Sequence, residues 1–307
     1  MIAIPEVSVV MSVYNGEERL AETIDSMLAQ VDVHFELVLV DDGSTDATGR
    51  IADDYAARDS RIRVIHQANT GLTRALIAGC RAARATLIAR QDCGDRSRPE
   101  RLRKQCDVLA READVVLVTC HSQHIAPEGE PLYIAEALPG DQIRKSLLTD
   151  GVDSIRGLTA HGSAMFRRDA YFEAGEYRAQ FRFAQDLDLW IRLARLGRIA
   201  VVPEVLFEVR FEPRAISGVN RAEQIESARI SIAMRDAAPD EQEALLARAA
   251  AIARTRRITS HDEAQGLYFV ASCLRAAHDP RWRGYAWRAV RRNPLHLRAW
   301  GRLLTSR

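Results

Sequence analysis

Two short acidic loops are where this 307-residue sequence could do chemistry. Asp41-Asp42-Gly43-Ser44 closes the apolar run Glu36–Val40, and Asp92-Cys93-Gly94-Asp95 follows the run Thr86–Ala89. A carboxylate at the end of a buried strand can accept a hydrogen bond from the imide N–H of uracil or thymine, which cytosine lacks. Asp41 stands in that place, with Asp42 beside it and Tyr14 available to pack on a base. The same four residues also suit a tight turn followed by a helix cap, since Asp, Gly and Ser favour both. Asp92 and Asp95 carry the oxygen ligands a hard cation such as Mg2+ or Mn2+ takes, one or two carboxylates completed by phosphate oxygens.

Regularly alternating elements must hold these loops. Val7–Val13 is an unbroken, largely β-branched run, as expected of a strand covered on both faces. Leu20, Ile24, Met27 and Leu28 predict a helix over 17–30, and Glu36–Val40 a second strand. A second helix over 46–57 follows, for which Ser44 is a plausible cap. Arg61–His66, Gly71–Ala83 and Thr86–Ala89 continue the series as strand, helix and strand. Such alternation implies a parallel sheet whose ligands sit beyond the carboxyl ends of its strands. The loops at 14–16, 41–45, 69–71 and 91–95 should therefore converge on one site.

Past Pro99 the pattern predicts a helix through Leu109, a strand over Val115–Thr119 and a helix over Ala184–Leu196. Two short strands near Ile199–Val202 and Val205–Phe211 come next. From about Val219 strand-like runs cease, and Ala, Arg and Leu dominate a series of helices. Gln265–Leu304 resembles a single tetratricopeptide-like helix pair. Leu267, Phe269, Val270, Leu274, Trp287, Val290, Leu297, Trp300 and Leu303 recur often enough to bury a face of this tail.

Composition narrows the function. Apolar residues make up 47% and charged residues 28%, as in an ordinary globular protein, and the net charge of +1 supplies no field for nucleic acid. Arginine provides nearly all the positive charge. Five cysteines without a CxxC pair read as small apolar side chains of a reducing compartment. With neither a signal-peptide pattern nor a run long enough to span a bilayer, the expected setting is cytoplasmic. The arginine-rich tail would allow peripheral contact with an anionic membrane.

Six blocks in order carry a family resemblance: VSVVMSVYNGEERLAETIDSMLAQ, ELVLVDDGSTDAT, NTGLTRALIAGCRAA, IARQDCGDRSRPERLRKQ, HGSAMFRRDA and QDLDLWIRLARLG. Together they resemble family 2 glycosyltransferases over most of residues 5–217. The resemblance implies the GT-A fold, α/β with a central, mostly parallel sheet. It would occupy residues 1–218, a donor half to about 98 and an acceptor half over 99–218, with a small helical region over 219–307. It further implies inverting transfer from a nucleotide-sugar donor to a hydroxyl of a glycan or lipid-linked acceptor. Relatives build capsule, exopolysaccharide and lipopolysaccharide chains as well as single-sugar decorations.

By the same resemblance Ser12, Tyr14, Asp41, Asp42, Arg74 and Asp92 meet the nucleotide, and Asp186 is the catalytic base. Asp92, Asp95 and Glu212 would hold Mg2+ or Mn2+, while Arg210, Trp190 and Gln185 would face the diphosphate or acceptor. Each residue has a plainer reading: Arg74 as a surface arginine, Asp186 as a helix-start aspartate, Trp190 as core, and Arg210 with Glu212 as surface ion pairs. His161 reads as structural.

The chain departs from the family pattern in two places. Gly94 stands where the usual D-x-D-D loop has its third aspartate, and Gln185 where the base is usually preceded by glutamate. Both substitutions leave open an inactive, nucleotide-sugar-binding relative, and the tail leaves open a helical scaffold. A dinucleotide-binding oxidoreductase is disfavoured, because no G-x-G-x-x-G follows Val7–Val13.

Overall fold

The computed structural model describes residues 4–213, 220–252 and 259–305. Strand β1 (Val7–Val13) runs parallel to β2 (Phe35–Asp41) on one side and to β4 (Leu87–Asp92) on the other, with β3 (Ile62–His66) beyond β2. Past β4 the sheet continues through β8 (Met165–Arg167), β6 (Val115–Ile125), β9 (Arg198–Arg210) and β5 (Arg96–Ser97). The short β8 is antiparallel to both β4 and β6, whereas β6 and β9 are parallel. Strand β7 (Pro131–Ala135) pairs with β6 as a hairpin.

Alternation along β1 sends buried apolar side chains to both faces of the sheet. Val9 and Met11 pack with Leu20, Ile24 and Met27 of α1 (Leu20–Leu28), Ala52 of α2 (Thr48–Arg58) and Leu102 of α4 (Arg101–Arg111). Val10 points the other way, against Leu76 and Cys80 of α3 (Leu72–Ala82), Leu147 of α5 (Gly140–Thr149) and Leu189 of α7 (Gln185–Leu196). Helices on both faces leave the whole strand buried, Ser8 and Ser12 included, and each large apolar side chain so buried contributes about 1.5–3 kcal/mol. A short helix, α6 (Arg168–Glu173), follows β8.

Three local expectations are corrected. Ser44 does not cap the second helix: α2 begins at Thr48, whose N–H goes to Asp46 Oδ1 at 3.0 Å, while the Ser44 hydroxyl accepts the Asn15 N–H. The two strands near 199–202 and 205–211 are one strand, β9, whose pairing with β6 shifts register at Cys120 to Ser122. The fourth strand runs past Ala89 to Asp92, carrying Arg90 and Gln91 inside the sheet.

After the expected boundary near 218, which lies outside the described residues, come α8 (Arg221–Asp236) and α9 (Pro239–Ala251). They pack through Ile230, Met234 and Ala249 on Phe181. The expected helix pair over 265–304 is three helices, α10 (Ser260–Ala276), α11 (Trp282–Arg292) and α12 (Leu297–Thr305). A reciprocal cap between Thr259 and Asp262 starts α10. These three helices share a core with Ala126 and Leu132 of the β6–β7 hairpin. Tyr285 donates to Glu130 at 3.0 Å and Arg288 pairs with Glu128, so the tail is clamped to that hairpin. Trp287 and Leu297, expected in the buried face, stay 48% and 78% exposed. Among the described residues no helix is long and apolar enough to cross a membrane.

Candidate active site

The strand register sets the two carboxylates on either flank of β1: Val13 lies opposite Asp41 on one side, and Ser12 opposite Asp92 on the other. Hydrogen bonds stitch the surrounding loops together. Asn15 Oδ1 accepts the Thr45 N–H at 2.8 Å, and Thr48 Oγ1 accepts that of Gly16 at 2.8 Å. Asp42 Oδ1 accepts the Thr70 N–H at 2.9 Å and Oδ2 that of Gly71 at 2.8 Å. Thr23 Oγ1 accepts the Gly94 N–H at 2.9 Å. The four loops therefore do converge. Gly43 is required at their centre, for its φ is +74° and a Cβ would meet the Asn69 nitrogen at 2.7 Å.

Asp41 is buried, with Oδ1 accepting the Ser44 N–H at 3.0 Å and Oδ2 facing His66 Nδ1 at 3.0 Å. The other ring nitrogen of His66 meets Asp53 at 3.0 Å. Carboxylates only accept, so both ring nitrogens donate and the imidazole is held charged. Asp53 first, then Asp41, raises the His66 pKa. Burial pushes Asp41 up, but bonds from Ser44 and His66 outweigh it and keep the carboxyl below its ordinary range. Asp42 is spent internally, as the tie between the loop after β2 and the start of α3. The Tyr14 ring is 52% exposed at the mouth, and Arg74 is exposed on the first turn of α3. Ser12 is buried at the floor.

A chain of contacts runs from Asp92 through the buried Arg90 and through His161 to Trp190, one helical turn from Asp186. The Arg90 guanidinium is fully enclosed and donates to Asp92 Oδ1 at 2.7 Å, to the Val10 carbonyl, and to His161 Nε2 at 3.3 Å. Tyr177 Oη approaches the same His161 nitrogen at 2.7 Å. A ring nitrogen that accepts from arginine is unprotonated, which agrees with burial, and secondarily Arg90, pulling the His161 pKa down. The His161 ring stands edge-on to Trp190 at 5.8 Å between centroids. Trp190 is four residues after Asp186 on α7, so the two share a helix face. Asp186 Oδ1 accepts the Leu187 N–H at 2.9 Å in the first turn. Just before it Ala184 adopts φ +52°, an uncommon conformation for a residue with a Cβ. Asp188 is occupied elsewhere, paired with Arg178 at 3.0 Å and Arg192 at 2.6 Å.

Several expected contacts are placed differently. Gln185 and Trp190 are buried, so they shape the site from beneath and present no open face to an acceptor. Arg210 is also buried, not a surface ion pair. Its guanidinium donates to the Gly94 carbonyl at 3.2 Å, the Pro127 carbonyl at 2.7 Å and Glu22 at 2.6 Å. Those bonds make it a strut beneath the Asp92–Asp95 loop. Its backbone N–H adds a bond to Asp95 Oδ1 at 2.9 Å. Glu212 faces Arg19 at 3.2 Å.

No three His, Cys, Asp or Glu side chains among the described residues group to hold a metal, so the expected set of Asp92, Asp95 and Glu212 is not assembled. Asp92 and Asp95 alone fit a cation that draws the rest of its shell from phosphate, since one oxygen of each lies outside the bonds above. Burial, with the Asp92 charge second, pushes the Asp95 carboxyl well up; the Arg210 N–H opposes this. Gly94 lies between them at φ +100° with open space around its Cβ position. An aspartate there would have room but a strained backbone.

Comparison with known proteins gives this geometry its context. Residues 8–174 match the sequence profile of Glycosyl transferase family 2. EpsE of Bacillus subtilis (strain 168), a protein named as a glycosyltransferase, is 36% identical over 211 residues, 67% of this chain and 73% of EpsE. Two solved structures share the fold. S. aureus TarS 1–349 in complex with UDP aligns with a TM-score of 0.55 at 15% identity, covering 94% of this chain and 88% of that one. The mannosyltransferase PcManGT from Pyrobaculum calidifontis, in complex with GDP-Man and Mn2+, aligns with a TM-score of 0.59 at 20% identity, covering 91% and 76%. The mixed sheet with helices on both faces is thus the expected GT-A fold.

Proposed function

The chain is a member of glycosyltransferase family 2, and on that premise we propose that it moves a sugar from a uridine or thymidine diphosphate donor to a hydroxyl, inverting the anomeric carbon. The acceptor in this reading is a glycan or lipid-linked sugar of a bacterial surface polysaccharide. What carries the proposal is the placement of Asp41 and Asp92 on the two flanks of β1, with Asp186 one helical turn before Trp190, where the contacts from His161 end. Asp41 would accept the imide N–H of the base while Tyr14 covers its face. Asp92, oriented by Arg90, would meet the ribose or diphosphate, and Arg74 would supply positive charge from the exposed start of α3. The acceptor hydroxyl would attack opposite the leaving diphosphate, passing its proton to an Asp186 carboxylate oxygen as the new bond forms.

Uridine and thymidine diphosphates should bind more tightly than cytidine diphosphate, and Asp41→Ala should erase that preference while the chain stays folded. Isothermal calorimetry reads both. Equal affinity for cytidine diphosphate in the unaltered protein would remove Asp41 from base recognition.

A bound Mg2+ or Mn2+, held by Asp92 and Asp95, would neutralise the departing diphosphate. Donor affinity should then fall when EDTA is added, and Asp95→Ala should make it indifferent to EDTA. An unaltered protein that already ignores EDTA would make Gly94 the mark of a metal-independent donor site.

A further inference from the structure

From Pro280 to Arg307 the sequence carries eight arginines and no aspartate or glutamate. Carboxylates from elsewhere answer some of them: Asp279 pairs with Arg281 at 2.5 Å, and Glu128 and Glu263 pair with Arg288 and Arg292. Among the described residues Arg283, Arg291 and Arg298 are exposed without a carboxylate partner. Arg283 and Arg291 flank Trp287 at intervals of four on α11, which sets the three on one stripe. On α12, Leu297, Trp300 and Leu304 recur at intervals of three and four and make a second stripe. Trp287 and Trp300 meet edge to face at 5.6 Å, so the stripes adjoin. Leu295, in the turn between the helices, is 84% exposed, Leu297 78% and Leu304 74%.

Isolated exposed leucines need no explanation, but leucines and an indole set among unpaired arginines do. We propose that this face of α11 and α12 docks on an anionic phospholipid bilayer. The arginines would meet the headgroups, Trp287 would lie at the level of the carbonyls, and Leu295, Leu297 and Leu304 would enter the acyl boundary. A nucleic acid backbone would satisfy the arginines and leave the leucines in water. A second copy of the chain would cover the leucines and bring arginine against arginine. The bilayer satisfies both kinds of side chain. It also holds the tail, and through the β6–β7 hairpin the Asp92–Asp95 loop, beside the surface where lipid-linked acceptors reside.

The docking inference needs no transfer activity, so its failure and that of the transferase reading are separate. Co-sedimentation of the full chain with phosphatidylcholine vesicles, with and without phosphatidylglycerol, is the test. We expect pelleting only with the anionic vesicles, weakening as salt rises. Changing Arg283, Arg291 and Arg298 together to Gln should lower the partition coefficient about a hundredfold. Leu297→Ser with Leu304→Ser should also lower it, and because all five positions are exposed the far-ultraviolet circular dichroism should not change. Equal pelleting with both vesicles would overturn the proposal. So would no pelleting with a dimer that the leucine variant dissolves, which would give the face to a second copy.

Discussion

Asp186→Asn should lower turnover by about 10²–10⁴ and leave donor affinity nearly unchanged. The change keeps the shape and the bond to the Leu187 N–H, and removes only the capacity to take a proton. Because the proton moves only in the transition state, kcat and kcat/KM should fall together. Asp188→Asn provides the contrast. Its carboxylate sits between Arg178 and Arg192, so its loss strands two cations and should cost about 3 kcal/mol of stability with little effect on kcat. Initial rates across donor and acceptor concentrations, with urea denaturation of both variants, separate the outcomes. A fully active Asp186→Asn would take the base off this helix, and an inactive but stable Asp188→Asn would transfer the role to Asp188.

Arg101→Met should destabilise the fold by about 3–5 kcal/mol, because it leaves several buried acceptors without their donor. Arg101 is fully buried at the start of α4 and donates to Ser97 Oγ at 2.7 Å, Gln91 Oε1 at 3.2 Å, Gln105 Oε1 at 3.2 Å and the Arg90 carbonyl at 2.7 Å. Its guanidinium also lies over the Phe207 ring at 4.9 Å. Burial draws its pKa down to about 10, which still leaves it charged at neutral pH. Methionine fills the stem and deserts the acceptors, each stranded one costing about 1–3 kcal/mol. Lysine should recover little, because a point charge cannot serve the divergent acceptors of a fork. Since Arg90 and Gln91 lead directly into Asp92, donor affinity should fall as well. A loss under about 1 kcal/mol, or full rescue by lysine, would show that these bonds do not hold the strand end.

The parallel half of the sheet and the meeting of its loops were legible because their signals are local. A largely β-branched run without charge, such as Val7–Val13, points to a doubly covered strand, and the acidic turns mark successive strand ends. Arg90 shows what was not legible. A strand was expected to stop at Ala89 because a charge ordinarily ends a buried run, yet Arg90 continues it, with Asp92 of its own strand as one acceptor and Val10 and His161 of two distant segments as the others. An arginine that directly follows the apolar run Leu87–Ala89 and leads into an acidic loop was the available clue. His66 was hidden for a similar reason: its two carboxylate partners come from β2 and α2. Arg210 and Glu212 were read together, as diphosphate and metal contacts or else as surface ion pairs. In the fold one turns inward to Glu22 and the other outward to Arg19.

The β6–β7 hairpin bears on how this chain could be recombined with its relatives. One side of its turn accepts Arg210 at the Pro127 carbonyl, and the other side holds Tyr285 and Arg288 through Glu130 and Glu128. A chimera cut only near 218 would graft a foreign tail onto a hairpin whose carboxylates were selected for this one, and would leave Ala126 and Leu132 without their apolar partners. Exchangeable units should therefore be discontinuous, α10, α11 and α12 travelling together with residues 126–132. Swaps built that way should keep their donor loops in place, and swaps that omit the hairpin should lose solubility before they lose specificity.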